Sequence, residues 1–288
     1  MKENLKNYNK LSLIILCAGE GKRIQKFFPK IPKSLIKIKN LDKSIVEYTI
    51  TQFLNLNFNK IYLIYGYKAN TFIKYIKDLE SKNKIDNFRL NDSIFPVNAE
   101  KNYQKGPFHS FLEILNEPNF IIDDNFFLLI PGDTLFEDEL INAILGCIKE
   151  EIKKRVNMPI IFYREFDKNL IEIYKSKKCF SISVVNILKE KNHEFLKSIE
   201  QIDIKSYKLE KSIFQVIPIY FFPSKFLEEI RDSIEINLDD YSNLTEFIIN
   251  VYLKEKQVLT HKINKSLNFF EVDTIEDLHF LEAHYKAK

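Results

Sequence analysis

Three features of this chain of 288 residues predict an α/β fold with a mixed, mostly parallel sheet and helices on both faces. Branched apolar runs alternate with helix-periodic stretches from Leu11 to Glu80, the pattern of parallel strands joined by helical crossovers. Phe126 to Ile130 is an uninterrupted apolar run ended by Pro131-Gly132, which reads as a central buried strand. The length allows one substantial core, because α/β domains of this size often stay undivided.

The first strand, Leu11 to Cys17, ends at Ala18-Gly19-Glu20-Gly21, and Lys22 and Arg23 follow at once. Glycines let the backbone approach a ligand and turn its N–H groups toward an anion. With Lys33 further on, such a turn supplies the backbone donors and fixed cations that a triphosphate needs. Two common phosphate motifs do not fit. No GxxxxGK[ST] is present, and Ile24 stands where the dinucleotide fingerprint needs its third glycine.

Next, Ser34 to Ile38 reads as a short extended piece. Ser44 to Asn57 has helical spacing, with Ser44 as cap and Glu47 completing a capping box. Ile61 to Tyr65 is a second buried strand, a helix follows over about 70–80, and Ile94 to Val97 is a third strand. Gly106-Pro107 breaks the chain before a helix marked by Phe108, Phe111, Leu112 and Leu115. Asp133 closes the central strand, where open α/β sheets bind ligands, and a helix starts near Glu137. Beyond Met158 the alternation loosens: MPIIFYREF, CFSISVVNI and SIFQVIPIYFF read as strands, and Asn243 opens a helix through Leu253. Asn268 to Val272 is a last strand before a helix capped at Asp273 or Thr274, the latter boxed with Asp277.

Composition narrows the functional classes. With 45% hydrophobic and 29% charged residues the chain is an ordinary globular protein. Its 43 basic and 40 acidic residues leave a net charge of +3, too balanced to suggest nucleic-acid or membrane binding. Cys17, Cys147 and Cys179 are isolated, with no metal spacing, and suggest reduced thiols in a cytoplasmic protein. The basic start followed by LSLIILC imitates a signal peptide. The apolar run is short, however, and charged GEGKR follows it, so it reads as the first strand. No segment reaches the roughly 20 apolar residues of a membrane span.

Leu16-x-Ala18-Gly19-x-Gly21-x-Arg23, followed by Pro32-Lys33-Ser34-Leu35, resembles the signature of the sugar-phosphate and phosphoalcohol nucleotidyltransferases. Those enzymes join an NTP to a phosphorylated acceptor and release pyrophosphate, in routes to surface-glycan and lipid precursors. The resemblance implies a Rossmann-like, GT-A-like fold. It also implies one domain over 1–288, with a nucleotide-binding half over 11–154 and an acceptor lobe over about 155–265. The strand and helix of 266–288 would return to the site. Gly132-Asp133 is similar to the family's Gly-Asp, whose carboxylate holds Mg²⁺, and Phe270-Glu271-x-Asp273 to the acidic motif that completes the metal site. Asn98 and Ser110 resemble the asparagine and serine of phosphocholine-type cytidylyltransferases, with Gly106 in the turn that meets the base. Lys211 is the candidate acceptor-binding lysine, though a surface role fits it better.

By that resemblance Arg23 and Lys33 are catalytic. Leu16, Ala18, Gly19, Gly21, Lys22, Asn98, Gly106 and Ser110 bind the nucleotide, and Asp133, Asp273 and Glu271 hold Mg²⁺. CTP is the favoured donor. The expected partners are small molecules, an NTP and a phosphorylated acceptor, and a homo-oligomer is left open. Two rivals share parts of the pattern. A GT-A-type glycosyltransferase should carry a second acidic residue where Leu135 stands, and a non-catalytic nucleotide-binding module should have lost its charged positions. No hexapeptide repeat follows the last helix, so no appended acetyltransferase β-helix is expected.

Overall fold

The computed structural model describes residues 11–58, 60–81, 93–118, 120, 126–166, 181–190, 193–204, 213–232, 241, 243–248 and 252–287. Cys179 and Lys211 lie outside them. In chain order the first elements are β1 (Leu11–Leu16), α1 (Lys22–Gln25), β2 (Lys37–Ile38), β3 (Lys43–Ser44), α2 (Ile45–Asn55), β4 (Ile61–Tyr65), α3 (Ala69–Ser81) and β5 (Ile94–Asn98). Then come α4 (Pro107–Leu112), β6 (Phe126–Pro131), β7 (Thr134–Phe136), α5 (Asp138–Lys153), β8 (Ile160–Phe166), β9 (Ser181–Glu190), β10 (His193–Asp203) and β11 (Ile213–Pro223). Last are α6 (Lys225–Asp232), α7 (Leu244–Phe247), α8 (Leu253–Glu255), β12 (Leu259–Ile263), β13 (Phe269–Glu271) and α9 (Ile275–Ala287). Two compact units result, Met1–Leu135 with Phe222–Leu244 and Glu271–Lys288, and Phe136–Phe221 with Thr245–Phe270.

In the first unit the strands lie in the order β5-β4-β1-β6 and every neighbouring pair is parallel. β1 and β4 are buried along nearly their whole length, which is why their sequences are unbroken apolar runs rather than alternating ones. Leu16 stands opposite Pro131 on one side and Ile64 on the other, so the turns after β1 and β6 leave the sheet at the same edge. Aromatic rings fill the space beside β6, where Phe127 packs against Phe111 and Phe222 with centroids 6.0 and 5.3 Å apart. Burying each such ring contributes roughly 2 kcal/mol.

Capping follows the sequence closely but not entirely. The Glu47 N–H donates to the Ser44 hydroxyl, as a cap requires. The Glu47 carboxylate does not return to Ser44; it accepts from the Tyr75 hydroxyl at 2.6 Å instead. At α9 the box is reciprocal: Asp277 N–H donates to the Thr274 hydroxyl and Thr274 N–H to the Asp277 carboxylate. The extended piece expected over 34–38 begins as a 3₁₀ turn, Lys33–Leu35, because Ile36 N–H turns back to the Lys33 carbonyl.

The second unit departs from the parallel expectation. β8 pairs parallel with β12, but β11–β8, β10–β12 and β10–β9 are antiparallel. Gln215 of β11 also pairs with Val184 of β9, so the five strands close on themselves around Phe166, Ile182, Val184, Ile204 and Ile213. Consecutive strands β9 and β10 need no helical crossover, and antiparallel order follows. The β5-β4-β1-β6 strands of the first unit are therefore parallel, beside a short antiparallel β2–β3 pair, and the second unit is mainly antiparallel. The helix expected from Asn243 through Leu253 is present at both ends, as α7 and α8, and residues 249–251 lie outside the described residues.

Two glycines give opposite forecasts. A Cβ at Gly132 would lie 2.4 Å from the Cys17 Sγ and 2.9 Å from the Leu16 carbonyl oxygen, whereas one at Gly146, within α5, meets nothing within 4 Å. Gly132→Ala should lower unfolding stability by roughly 1–3 kcal/mol through overpacking. Gly146→Ala should raise it by about 0.5–1 kcal/mol by restricting the unfolded chain. Urea titration of the two variants beside the wild type checks both signs.

Candidate active site

Four charged side chains meet in the first unit at the carboxyl edge of its parallel strands. Lys33 Nζ lies 2.5 Å from Asp133 Oδ2 and 2.6 Å from Asp273 Oδ1. Arg23 Nη2 reaches the other Asp273 oxygen at 2.8 Å. The elements explain the meeting. β6 ends at Pro131 and delivers Asp133 in the turn that follows. Pro32 leads into the 3₁₀ turn that starts at Lys33. Asp273 follows β13, where the Val272 N–H bonds to the Asp133 carbonyl at 3.0 Å and ties the two acidic positions together through their backbones. Asp277 completes the support. Its Oδ2 accepts from the Asp273 N–H at 3.2 Å, so the residue that caps α9 also holds the Asp273 backbone.

The Lys33 side chain is only 11% exposed, against 61% for Arg23, so the first is enclosed and the second faces solvent. Burial works against the Lys33 charge, but the Asp133 and Asp273 carboxylates outweigh it and raise its pKa above the usual lysine range. Burial likewise opposes the charge of Asp273, and Lys33 and Arg23 overcome it and lower the pKa of that carboxyl. Glu271 has water-accessible surface, yet protein atoms crowd around it. That enclosure, then the Asp273 and Asp133 charges, pushes its carboxyl up to about 7. The Cys17 thiol is pushed up to about 12, chiefly by burial, and behaves as a small core group rather than a nucleophile.

The glycine turn lies beside this cluster. Gly21 adopts a left-handed conformation, φ 62°, and a Cβ there would fall 3.0 Å from Lys33 Cβ, so its backbone packs on the lysine stem. Gly19 has open space where its Cβ would be. The Tyr67 N–H bonds to the Ala18 carbonyl, Leu16 closes β1, and Lys22 points to solvent and pairs with Glu20 at 3.4 Å.

Asn98 and Ser110 each make a hydrogen bond to a residue nearby in sequence. The Asn98 side-chain oxygen accepts from the Glu100 N–H at 2.9 Å, and the buried Ser110 hydroxyl donates to the Gly106 carbonyl at 3.2 Å. Gly106 has φ 121°, a conformation other residues rarely take. Close by in sequence, Tyr103 packs so tightly on Gly66 that a Cβ there would lie 2.8 Å from the ring. Nothing in the spacing of NYQKG pointed to that contact. Among the described residues no group of three or more His, Cys, Asp or Glu side chains is arranged to hold a metal ion. Two carboxylates do converge, and Mg²⁺ is commonly held by one or two carboxylates with the remaining positions filled by water and substrate phosphate. The donor set therefore fits such an ion. Among the described residues no helix is long and apolar enough to cross a membrane.

Comparison with known proteins identifies the family. The model of the MobA-like NTP transferase domain matches residues 13–179. Bifunctional protein GlmU of Methanococcus maripaludis is 32% identical over 207 residues, 72% of this chain and 42% of that protein. GlmU of Methanococcus vannielii is 29% identical over 246 residues, 84% of this chain and 51% of the relative. The chain thus spans about half or less of the length of these relatives. In fold it is similar to a UDP-glucose pyrophosphorylase complexed with UDP-glucose, at TM-score 0.69 and 16% identity over 96% of this chain and 99% of that one. It is also similar to the inositol-1-phosphate CTP transferase from T. maritima, at TM-score 0.63 and 16% identity over 96% of each. With more than half its length matched by the family model, and Arg23, Lys33 and Asp133 gathered beside the glycine turn, the chain belongs to the MobA-like NTP transferase domain family.

Proposed function

We propose that this protein is a nucleotidyltransferase that moves a nucleoside monophosphate from an NTP, CTP by preference, to a small phosphorylated acceptor and releases pyrophosphate. The observation that carries the reading is the enclosed Lys33 ammonium set between Asp133 and Asp273 beside the Gly19–Gly21 turn. A Rossmann-like, GT-A-like scaffold and a cytoplasmic setting accompany the proposal, as does an acceptor lobe in the second unit.

An oxygen of the acceptor phosphate attacks the α-phosphorus of the NTP. The bond from that phosphorus to the bridging oxygen of the β-phosphate breaks, and pyrophosphate departs with the electron pair. An acceptor phosphate is already ionised at neutral pH, so no general base is required, and catalysis is positioning plus neutralisation of charge. In this reading the Gly19–Gly21 backbone cradles the phosphates and the solvent-facing Arg23 takes the leaving pyrophosphate. Lys33, once turned from its carboxylates, meets the α-phosphate. Asp133 and Asp273, with the Glu271 carboxyl nearby, would hold Mg²⁺, which supplies Lewis-acid neutralisation of phosphate oxygens when bound.

The base is the finest part of the proposal. Folds similar to this one include both a uridine and a cytidine enzyme, so the preference for CTP rests on Asn98, Ser110 and the Phe270-Glu271-x-Asp273 ending. A pocket that pairs with the exocyclic amine of cytosine leaves acceptors unsatisfied when uracil enters, a mismatch that can cost several kcal/mol.

Pyrophosphate release from the four NTPs against a panel of sugar phosphates and phosphorylated alcohols tests the activity, and silence across the panel would refute it. With a working acceptor, kcat/KM for CTP should exceed that for UTP, and equal values would remove the cytidine preference. Asp133→Asn should fold normally and lose most turnover, so near-wild-type rates at saturating Mg²⁺ would rule out its role. Lys33→Ala should lose transition-state stabilisation on the order of 3 kcal/mol. That loss should fall on kcat more than on KM for the NTP, and a change in KM alone would make Lys33 a binding residue only.

A further inference from the structure

The Lys33 ammonium stands at a point on which an oxygen of Asp133 and an oxygen of Asp273 converge, at 2.5 and 2.6 Å. A cation held by those two oxygens would take the same place. Lys33 is not a loose surface side chain that happens to swing there. Its stem lies under the Gly21 backbone and the side chain is 11% exposed. A metal ion arriving alone would displace the ammonium from both partners and strand a nearly enclosed charge, which is strongly unfavourable. A polyphosphate arriving with the metal offers that ammonium a replacement anion.

We propose that Lys33 is an internal counter-ion that occupies the metal seat of the ligand-free protein. Through it, divalent-cation binding is made to depend on the arrival of a triphosphate. This rests on the reading of Asp133 and Asp273 as metal-holding carboxylates. Lys33 thereby has two positions, one closing the seat and one on the phosphate, and the Gly21 turn against its stem links the two. Metal and nucleotide then bind with positive coupling, and each raises the affinity for the other by the same factor. Arg23 does not do the same: among the described residues it pairs with the other oxygen of Asp273 and not with Asp133, and it is mostly exposed.

The test uses Mn²⁺ alone as the probe, counted by the electron-spin-resonance signal of the free ion, with the full chain and no nucleotide. Lys33→Met and Lys33→Gln, each checked for native circular dichroism, should bind Mn²⁺ at least about tenfold tighter than the wild type. Adding Asp133→Asn to either should abolish the gain. Arg23→Met should change the affinity by less than about threefold, because it removes charge without vacating the seat. Equal Mn²⁺ affinity in wild type and both Lys33 variants would overturn the proposal. So would an Arg23→Met gain matching theirs, which would reduce the effect to the general field. Binding by none of the variants would overturn it too, since the carboxylates would then be no cation seat. Pyrophosphate release by the wild type is read separately, so failure of the enzymatic assignment is distinguishable from failure of this one.

Discussion

The contact that the site depends on is the ion pair of one enclosed ammonium with two carboxylates. Two acidic side chains brought this close repel each other, and partial exclusion of water strengthens that repulsion. Lys33 makes the arrangement tolerable, and the pKa shifts of Lys33 and Asp273 in opposite directions express the same fact. Everything around it serves placement. Two adjacent parallel strands end at one edge, a backbone bond ties Val272 to Asp133, and Asp277 holds the Asp273 amide while capping the last helix. The fold supplies rigidity here, and the charges supply the chemistry.

The division of labour between the two units follows from how their strands connect. In the first, helices and long connections carry the chain between parallel neighbours, and the ends of β1 and β6 fall together. In the second, hairpin succession and the extra pairing of Gln215 with Val184 close five strands around their own core. Its largest buried polar side chain is satisfied locally. The fully buried Arg164 donates to Gln215 and to the Leu267 carbonyl, and its guanidinium lies 4.5 Å from the Phe269 ring centre. Such a group costs a great deal to bury unless its donors are met.

The parts of the molecule that could be read in the sequence are those governed by local physics. β1, β4 and β6 are buried on both sides and so spell themselves as apolar runs. Ser44 and Thr274 mark helix starts because a hydroxyl must meet an open N–H there. β10 was not legible, since a bulge between Leu196 and Ser198 breaks the alternation by which a half-buried strand is recognised. β12 was missed for a different reason. LTHKI looks polar, yet Thr260 is buried with its hydroxyl on the Glu194 carbonyl. At the site, the residue types and their roles came from a motif resemblance, but the direct contact of Lys33 with both carboxylates has no local signature. Its partners are far away in sequence, and only the folded sheet brings them to one point.

That separation has a consequence for how the protein comes into being. Lys33 and Asp273 are 240 residues apart, so an emerging chain carries Lys33 and Asp133 long before Asp273 has been made. The parallel sheet of β1, β4, β5 and β6 can assemble at that stage, because all of its strands precede Asp133. The ammonium then has half of its counter-charge, and the rest arrives with β13 and α9. Joining contacts so distant costs only a few kcal/mol more in chain entropy than joining near ones, since the penalty grows with the logarithm of length. It does fix an order of events, however: sheet first and charged centre last. A nascent chain should therefore acquire its scaffold well before it becomes competent, and ribosome-bound intermediates should be folded yet inert.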